Sequence, residues 1–523
     1  MTRVFSASVA ITFALALGAC SSAGPKYPTI RKASPNQIEA TVEHFEKAES
    51  IYRQIERRPS VATISQYNAE LLALLEDQFG RPGRLRKAPA SWGKWVVDGP
   101  QCIDPLTLKS LFPASLIDTD GIIKDARVIE GIGVPCVGWI KTKTPSDPAT
   151  GFLPPTGITR TLTAVLSFNN GQREWRLYDR YDIDEIKVGR KPLKLAADFS
   201  AALAVFEDRC ELSKFGLFEL LLHEKFYKET GIYAAGDYDP GKIPVVFIHG
   251  VKSNPFAFIQ VINRLTLEND IRENFQFYFF YYPTGGGWIF TAPKFRESVR
   301  VLRPTFDPEQ KDAAFKNMVV ITHSMGGLIA RASVSANPEV IYNAWFTRPI
   351  DELRGSERNR KLVRETFAYD PLVDVTRVVF MATPHRGSEI ADLKILTLIS
   401  KLIKLPAAIT NNVLELVTAN GLNIIEGNFD NFRAPTSIDE LSPDNRTIKA
   451  VSALKFREEV EVHSIIGARG GNKKSDGIVP YWSSHLDEAK SELIIESNHS
   501  VPRKPAAADE VLRILREHLA ESK

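Results

Sequence analysis

Met318-Val319-Val320-Ile321-Thr322-His323-Ser324-Met325-Gly326-Gly327-Leu328 is the stretch from which the rest of the chain is read. Four apolar residues in a row suit a strand buried on both faces, a tight polar turn follows, and Met325 opens a helical pattern. A serine on such a strand-to-helix turn projects above the sheet edge, with the N–H groups of the helix start aimed at the reacting atom. Gly326 and Gly327 lack a Cβ, so the helix can turn back closely against the strand. Thr322 stands where a G-x-S-x-G elbow has Gly, which predicts a crowded crossing of strand and helix.

A serine hydroxyl is a weak nucleophile until a base takes its proton, so a histidine is needed downstream. Of the nine histidines, His499 fits best: it lies in the loop Ser497-Asn498-His499-Ser500, after a short apolar strand and before the last helix. His385 and His485 are its rivals. The acid that orients the imidazole belongs between serine and histidine in chain order. Asp476, in Ser475-Asp476-Gly477-Ile478, occupies that slot, with Asp487 and Asp374 as fallbacks. Stabilising an oxyanion takes backbone donors. These are expected from the N–H of Met325 and, across the site, from Val251 in Phe247-Ile248-His249-Gly250-Val251, with Gly250 giving the substrate close access and His249 bracing the loop.

Outward from this core, short apolar runs near residues 244–248, 275–282, 318–322, 376–381, 460–466 and 492–495 alternate with helical patterns at 256–267, 325–336 and 509–519. The alternation predicts an α/β domain, a mostly parallel sheet with helices on both faces, from 237 to 523. Interruptions at about 337–371 and 389–454 fall where lids are carried. Upstream, 37–236 reads as a smaller α+β domain. It has two helical patterns, near 38–55 and 61–79, and a hairpin in which Leu162, Ala164, Leu166 and Phe168 alternate before Asn169-Asn170-Gly171. The turn cluster Asp237-Tyr238-Asp239-Pro240-Gly241 marks the expected boundary.

The N-terminus carries an address. Arg3 precedes an apolar stretch ending in Leu17-Gly18-Ala19-Cys20, too short for a comfortable bilayer span of about 20 residues. The tetrapeptide resembles a bacterial lipobox, which implies a signal peptide at 1–19, a lipidated Cys20 and a tether to residue 36. Ser21 and Ser22 follow without an Asp, which by the same resemblance favours the outer membrane, facing the periplasm. Cys102, Cys136 and Cys210 would permit one disulfide there, in any of three pairings. The 44% hydrophobic and 25% charged composition is that of a globular protein, and a formal charge of +3 without basic runs excludes a nucleic-acid partner.

Taken together, Val246-Phe247-Ile248-His249-Gly250, the turn at Ser324, Met381-Ala382-Thr383-Pro384-His385-Arg386-Gly387-Ser388, the Asp476 segment and His499 resemble α/β-hydrolases of the lipase and esterase type, including lipase-like and PGAP1-like proteins. The resemblance covers somewhat over half of the chain. It implies hydrolysis of an acyl ester, with lipid or another apolar ester as substrate, through an acyl-enzyme and without a cofactor. Similar secreted lipases place a calcium-ligating Asp two residues after the histidine, where Val501 stands, so no calcium is expected there. Residues 392–405 alternate apolar positions with Lys394, Lys401 and Lys404, as a lid over an acyl pocket or an ordinary surface helix would. Gly285-Gly286-Gly287 lacks the Lys-Ser/Thr ending of a phosphate loop. Two other readings stay open: acyl transfer by the same residues to an acceptor other than water, and a non-catalytic hydrolase scaffold that binds a partner in the envelope.

Overall fold

The computed structural model describes residues 38–79, 94–98, 108–140, 151–154, 156–169, 171–209, 230–284, 287–388, 442–470 and 474–522, with 415, 418–421 and 424. Cys20, Cys102, Cys210, the glycines 285 and 286 and the segment 392–405 lie outside them.

Two helices open the described chain, α1 (Ile38–Arg57) and α2 (Val61–Phe79), as their spacing predicts. They pack with a sheet of β1 (Lys94–Asp98), β2 (Leu108–Pro113), β3 (Val134–Ile140), β4 (Ile158–Asn169) and β5 (Gln172–Asp179), in the order β1-β5-β4-β3-β2. The anticipated hairpin is β4–β5: Asn169 pairs with Gln172 across the turn, and Gly171 takes φ 75° at no steric cost. Phe45, Ile55, Tyr67, Leu71, Leu162, Leu166 and Trp175 form the core of this layer. Helix α3 (Phe199–Arg209) packs on β3 and β4 and leads towards the second sheet. Cys136, in β3, is a free buried thiol, and its two possible partners lie outside the described residues.

The second sheet has seven strands: β6 (Gly231–Ala234), β7 (Ile243–Ile248), β8 (Phe275–Tyr281), β9 (Met318–His323), β10 (Val375–Met381), β11 (Glu461–Ala468) and β12 (Ser491–Glu496). Their order is β6-β8-β7-β9-β10-β11-β12; β6 runs antiparallel to β8 and every other pair is parallel. Helices α4 (Ile259–Thr266) and α10 (Pro505–Glu521) pack together with one face of the sheet, in a core including Val245, Phe247, Val319, Ile321, Val511 and Leu515. On the other face α5 (Trp288–Phe306) and α6 (Met325–Val334) join Val246, Ile248, Val320 and Val378. Strands β7 and β9 are buried at every position, which explains their unbroken apolar runs. This is the α/β-hydrolase fold, with β7 and β9 at its centre and a smaller α+β layer before it.

One expectation shifts. The boundary read at residue 237 falls inside the second sheet, because β6 already belongs to it and the Asp237–Gly241 cluster is the turn joining β6 to β7. Residues 337–371, expected as a lid, include α7 (Glu339–Trp345) and α8 (Glu357–Phe367). Tyr342, Trp345, Val363 and Phe367 are buried in the core of the α5–α6 face, so this insertion is packed structure. Between it and β11, α9 (Arg446–Ser452) packs on α7.

Candidate active site

Ser324 sits between β9 and α6 with φ 55° and ψ −126°, a strained conformation for a residue with a side chain. Close packing on every side holds it there. Ser324 N–H donates to Met381 O at 2.9 Å, and Gly327 N–H donates back to Ser324 O at 2.9 Å. A Cβ on Gly326 would lie 2.4 Å from Ile248 O, and one on Gly327 would lie 2.1 Å from Thr383 Oγ1, so both glycines are required by contact. Thr322 is accommodated sideways: its hydroxyl donates to Val379 O on the neighbouring strand at 3.1 Å.

His499 and Asp476 come from loops after β12 and β11 and meet the serine. His499 Nε2 lies 2.8 Å from Ser324 Oγ, and His499 Nδ1 lies 2.7 Å from Asp476 Oδ2. A carboxylate only accepts, so Nδ1 carries the proton and the Nε2 lone pair faces the hydroxyl. Asp476 is 1% exposed, and its other oxygen, Oδ1, accepts the N–H groups of Ile478 and Val479 at 2.7 Å each. Both oxygens are thus held, and the carboxylate plane with them. Of the rivals, His485 pairs with Glu492 at 2.6 Å and Asp487 at 3.1 Å. His385 is fully buried against Phe380, with neither ring nitrogen hydrogen-bonded. Asp374 bonds Arg303 at 3.1 Å.

Met325 and the loop that carries Val251 both adjoin Ser324. Met325 is the first residue of α6, so its N–H has no acceptor within the helix. Across from it, a Cβ on Gly250 would stand 2.8 Å from Ser324 Cβ, which places the loop after β7 directly against that serine. The Lys252 N–H is occupied, donating to Thr284 Oγ1 at 3.1 Å, which favours Val251 as the donor from this loop. His249 braces the loop: its ring stacks on Tyr282 with centroids 4.4 Å apart, and Tyr282 Oη donates to His249 O at 2.6 Å. Burial pushes His249 down to about 4.

Sequence reading did not assign His323 a task. Its Nε2–H donates to His499 O at 2.7 Å, tying the loop of His499 to the residue beside Ser324. Burial, with the neighbouring His499, holds His323 neutral, down to about 3. Adjacency to Ser324 was the only signal available, because the His499 contact joins residues 176 apart in sequence.

Among the described residues, Glu461, His463 and Glu517 have ligand-type atoms within 4.8 Å of one another. Cations already fill the cluster. Arg377 bonds Glu461 and lies 2.9 Å from His463 Nε2, and Lys490 Nζ lies 2.8 Å from Glu461 and 2.9 Å from Glu517. It is an ion-pair knot at the starts of β10 and β11, at the opposite end of the strands from Ser324.

No family model and no curated protein matches the chain. Solved structures do. The mature lipase BlEst2 of Bacillus licheniformis aligns at 14% identity and TM-score 0.33, over 54% of this chain and 97% of that one. Lipase 1 of Pelosinus fermentans aligns at 13% and 0.30 over 54% and 99%. The enol-lactonase of Burkholderia xenovorans aligns at 11% and 0.28 over 55% and 95%. The fold assignment rests on strand order and on the turn at Ser324.

Proposed function

We propose that this chain is a serine hydrolase that cleaves carboxylic esters, with lipid or another apolar acyl ester as substrate. The observation that carries the reading is the continuous relay Asp476–His499–Ser324, at 2.7 and 2.8 Å, ending on a serine held at positive φ. Such a serine attacks the ester carbonyl while His499 Nε2 takes its proton. The carbonyl oxygen becomes an oxyanion between the Met325 and Val251 N–H groups, each worth on the order of 3 kcal/mol to the transition state. Collapse expels the alcohol, which receives the proton from His499 and leaves an acyl group on Ser324 Oγ. Water, deprotonated by the same imidazole, then releases the acid. No step calls for a metal or an organic cofactor.

The site is proposed to work in the bacterial cell envelope, with the chain anchored through lipidated Cys20 and facing the periplasm. Among the described residues no helix is long and apolar enough to cross a membrane. Incorporation of labelled palmitate, lost in Cys20→Ser, tests the anchor. For the chemistry, p-nitrophenyl butyrate should give an acyl adduct on Ser324 in a quenched reaction, read by peptide mass spectrometry. Turnover without that adduct, or turnover by Ser324→Ala, would sink the proposal.

A further inference from the structure

The relay makes no use of the N-terminal layer, yet that layer reaches the segment leaving the sheet after Gly250. From Val251 the chain reaches the 3-10 helix Pro255–Phe258 and then α4 with no glycine between them. It is pinned on the way: Lys252 N–H by Thr284, and Phe256 N–H by Asn254 Oδ1 at 2.9 Å. One side of this segment, through Phe258, Val261, Ile262 and Leu265, packs in the hydrolase core. The other side is gripped by the N-terminal layer. Phe256 and Ile259 are buried in a cluster with Phe112, Ile123 and Val205, and the Phe256 ring packs edge-on to Phe206 with centroids 5.5 Å apart. Gln260 donates to Ile122 O at 2.7 Å and accepts the Lys124 N–H at 3.1 Å. Asn263 donates to Asp125 O at 2.9 Å and accepts the Ser200 hydroxyl at 2.7 Å. The turn that follows His499, Val501–Arg503, packs against the same 3-10 helix and α4.

We infer that the N-terminal domain is a brace for the oxyanion loop: through Phe256, Gln260 and Asn263 it fixes where the Val251 N–H stands over Ser324. These three are positioning residues, and the inference rests on the hydrolase reading above. Both amides use oxygen and nitrogen on the partner layer, so α4 has one register in which all four bonds close. A loop carrying an oxyanion donor tolerates little displacement, since an error of about 1 Å costs on the order of a hundredfold in rate.

The test compares Gln260→Leu/Asn263→Leu in the full chain with Phe152→Ala, which weakens an interdomain contact made to Phe306 of α5 and not to the loop. The readouts are kcat and KM on p-nitrophenyl butyrate and the rate of fluorophosphonate labelling. The brace predicts that kcat and labelling rate fall together in the double variant, roughly tenfold to a hundredfold, with KM little changed and Phe152→Ala near wild type. Phe256→Leu, which keeps the position apolar while removing the ring contact to Phe206, should show the same split more weakly. Wild-type kcat in folded double variant and Phe256→Leu, or an equal loss in Phe152→Ala, would overturn the brace. An unlabelled wild type would instead remove the hydrolase reading on which it rests.

Discussion

Replacing Asp476 by Asn exchanges one oxygen for an NH2 group, and the structure dictates where that group goes. Oδ1 accepts two backbone N–H groups, from Ile478 and Val479, at 2.7 Å each, so the amide must keep its oxygen there. The NH2 then takes the place of Oδ2, 2.7 Å from His499 Nδ1, where two donors cannot face each other. His499 is driven into the tautomer with a bare Nδ1 and a protonated Nε2, and Nε2 is the atom 2.8 Å from Ser324 Oγ. The base arrives already protonated on the nitrogen that should accept. For a serine triad this wrong tautomer costs about 10⁴ in kcat, or roughly 5 kcal/mol. The packing around residue 476 is unchanged, so the melting temperature should move little. The assay is kcat for p-nitrophenyl butyrate near neutral pH beside a thermal melt. A folded Asp476→Asn protein retaining more than about a tenth of wild-type kcat would refute the tautomer argument.

Gly250→Ala puts a methyl group 2.8 Å from Ser324 Cβ and 3.1 Å from His323 Nδ1, so kcat/KM should drop on the order of a hundredfold through displacement of the oxyanion loop; kinetics within threefold of wild type would place the loop elsewhere. His323→Phe leaves His499 O without its donor, at a cost of about 1–3 kcal/mol, and should lower both the melting temperature and the labelling rate; a variant matching wild type in both contradicts the clamp. The pH dependence of stability follows from His249 and His323, held down to about 4 and about 3 by burial. Below the unfolded value near 6.5 the unfolded chain binds protons that the folded chain refuses, so stability is full above pH 6.5 and is lost as pH falls towards 4. At pH 5 each histidine costs on the order of 2 kcal/mol. Thermal melts from pH 7.5 to 5 should show this fall reduced in His323→Gln; an equal fall in both proteins would remove His323 from the account.

The seven-stranded sheet and its helices were legible because their signals are local. Strands such as β7 and β9 are buried on both faces and so read as unbroken apolar runs, and the glycines after Ser324 announce the tight return of α6. Residues 476 and 499 were found through chain order and loop position, and the structure brings both to the serine. Strand β6 escaped because four residues at an antiparallel edge carry too little pattern, and the turn cluster after it looked like a linker. Helix α5 contains Pro293 and Pro304, residues that argue against a helix interior, yet Trp288, Phe295, Val299 and Leu302 bury its apolar side. The parallel pairing of β1 with β5 joins segments far apart in sequence, which no local pattern encodes. His323 and the grip on α4 were invisible for the same reason: their partners, His499 and residues 122–125, are long-range contacts of single atoms.

The proposed chemistry stands on activation of Ser324 by His499. Fluorophosphonate labelling of the folded chain, beside Ser324→Ala and His499→Ala, tests it most directly. The expected outcome is one labelled serine in the wild type, no label in Ser324→Ala and a label slowed by orders of magnitude in His499→Ala. A folded wild type that takes no label, or a Ser324→Ala protein that labels as well as wild type, would contradict it.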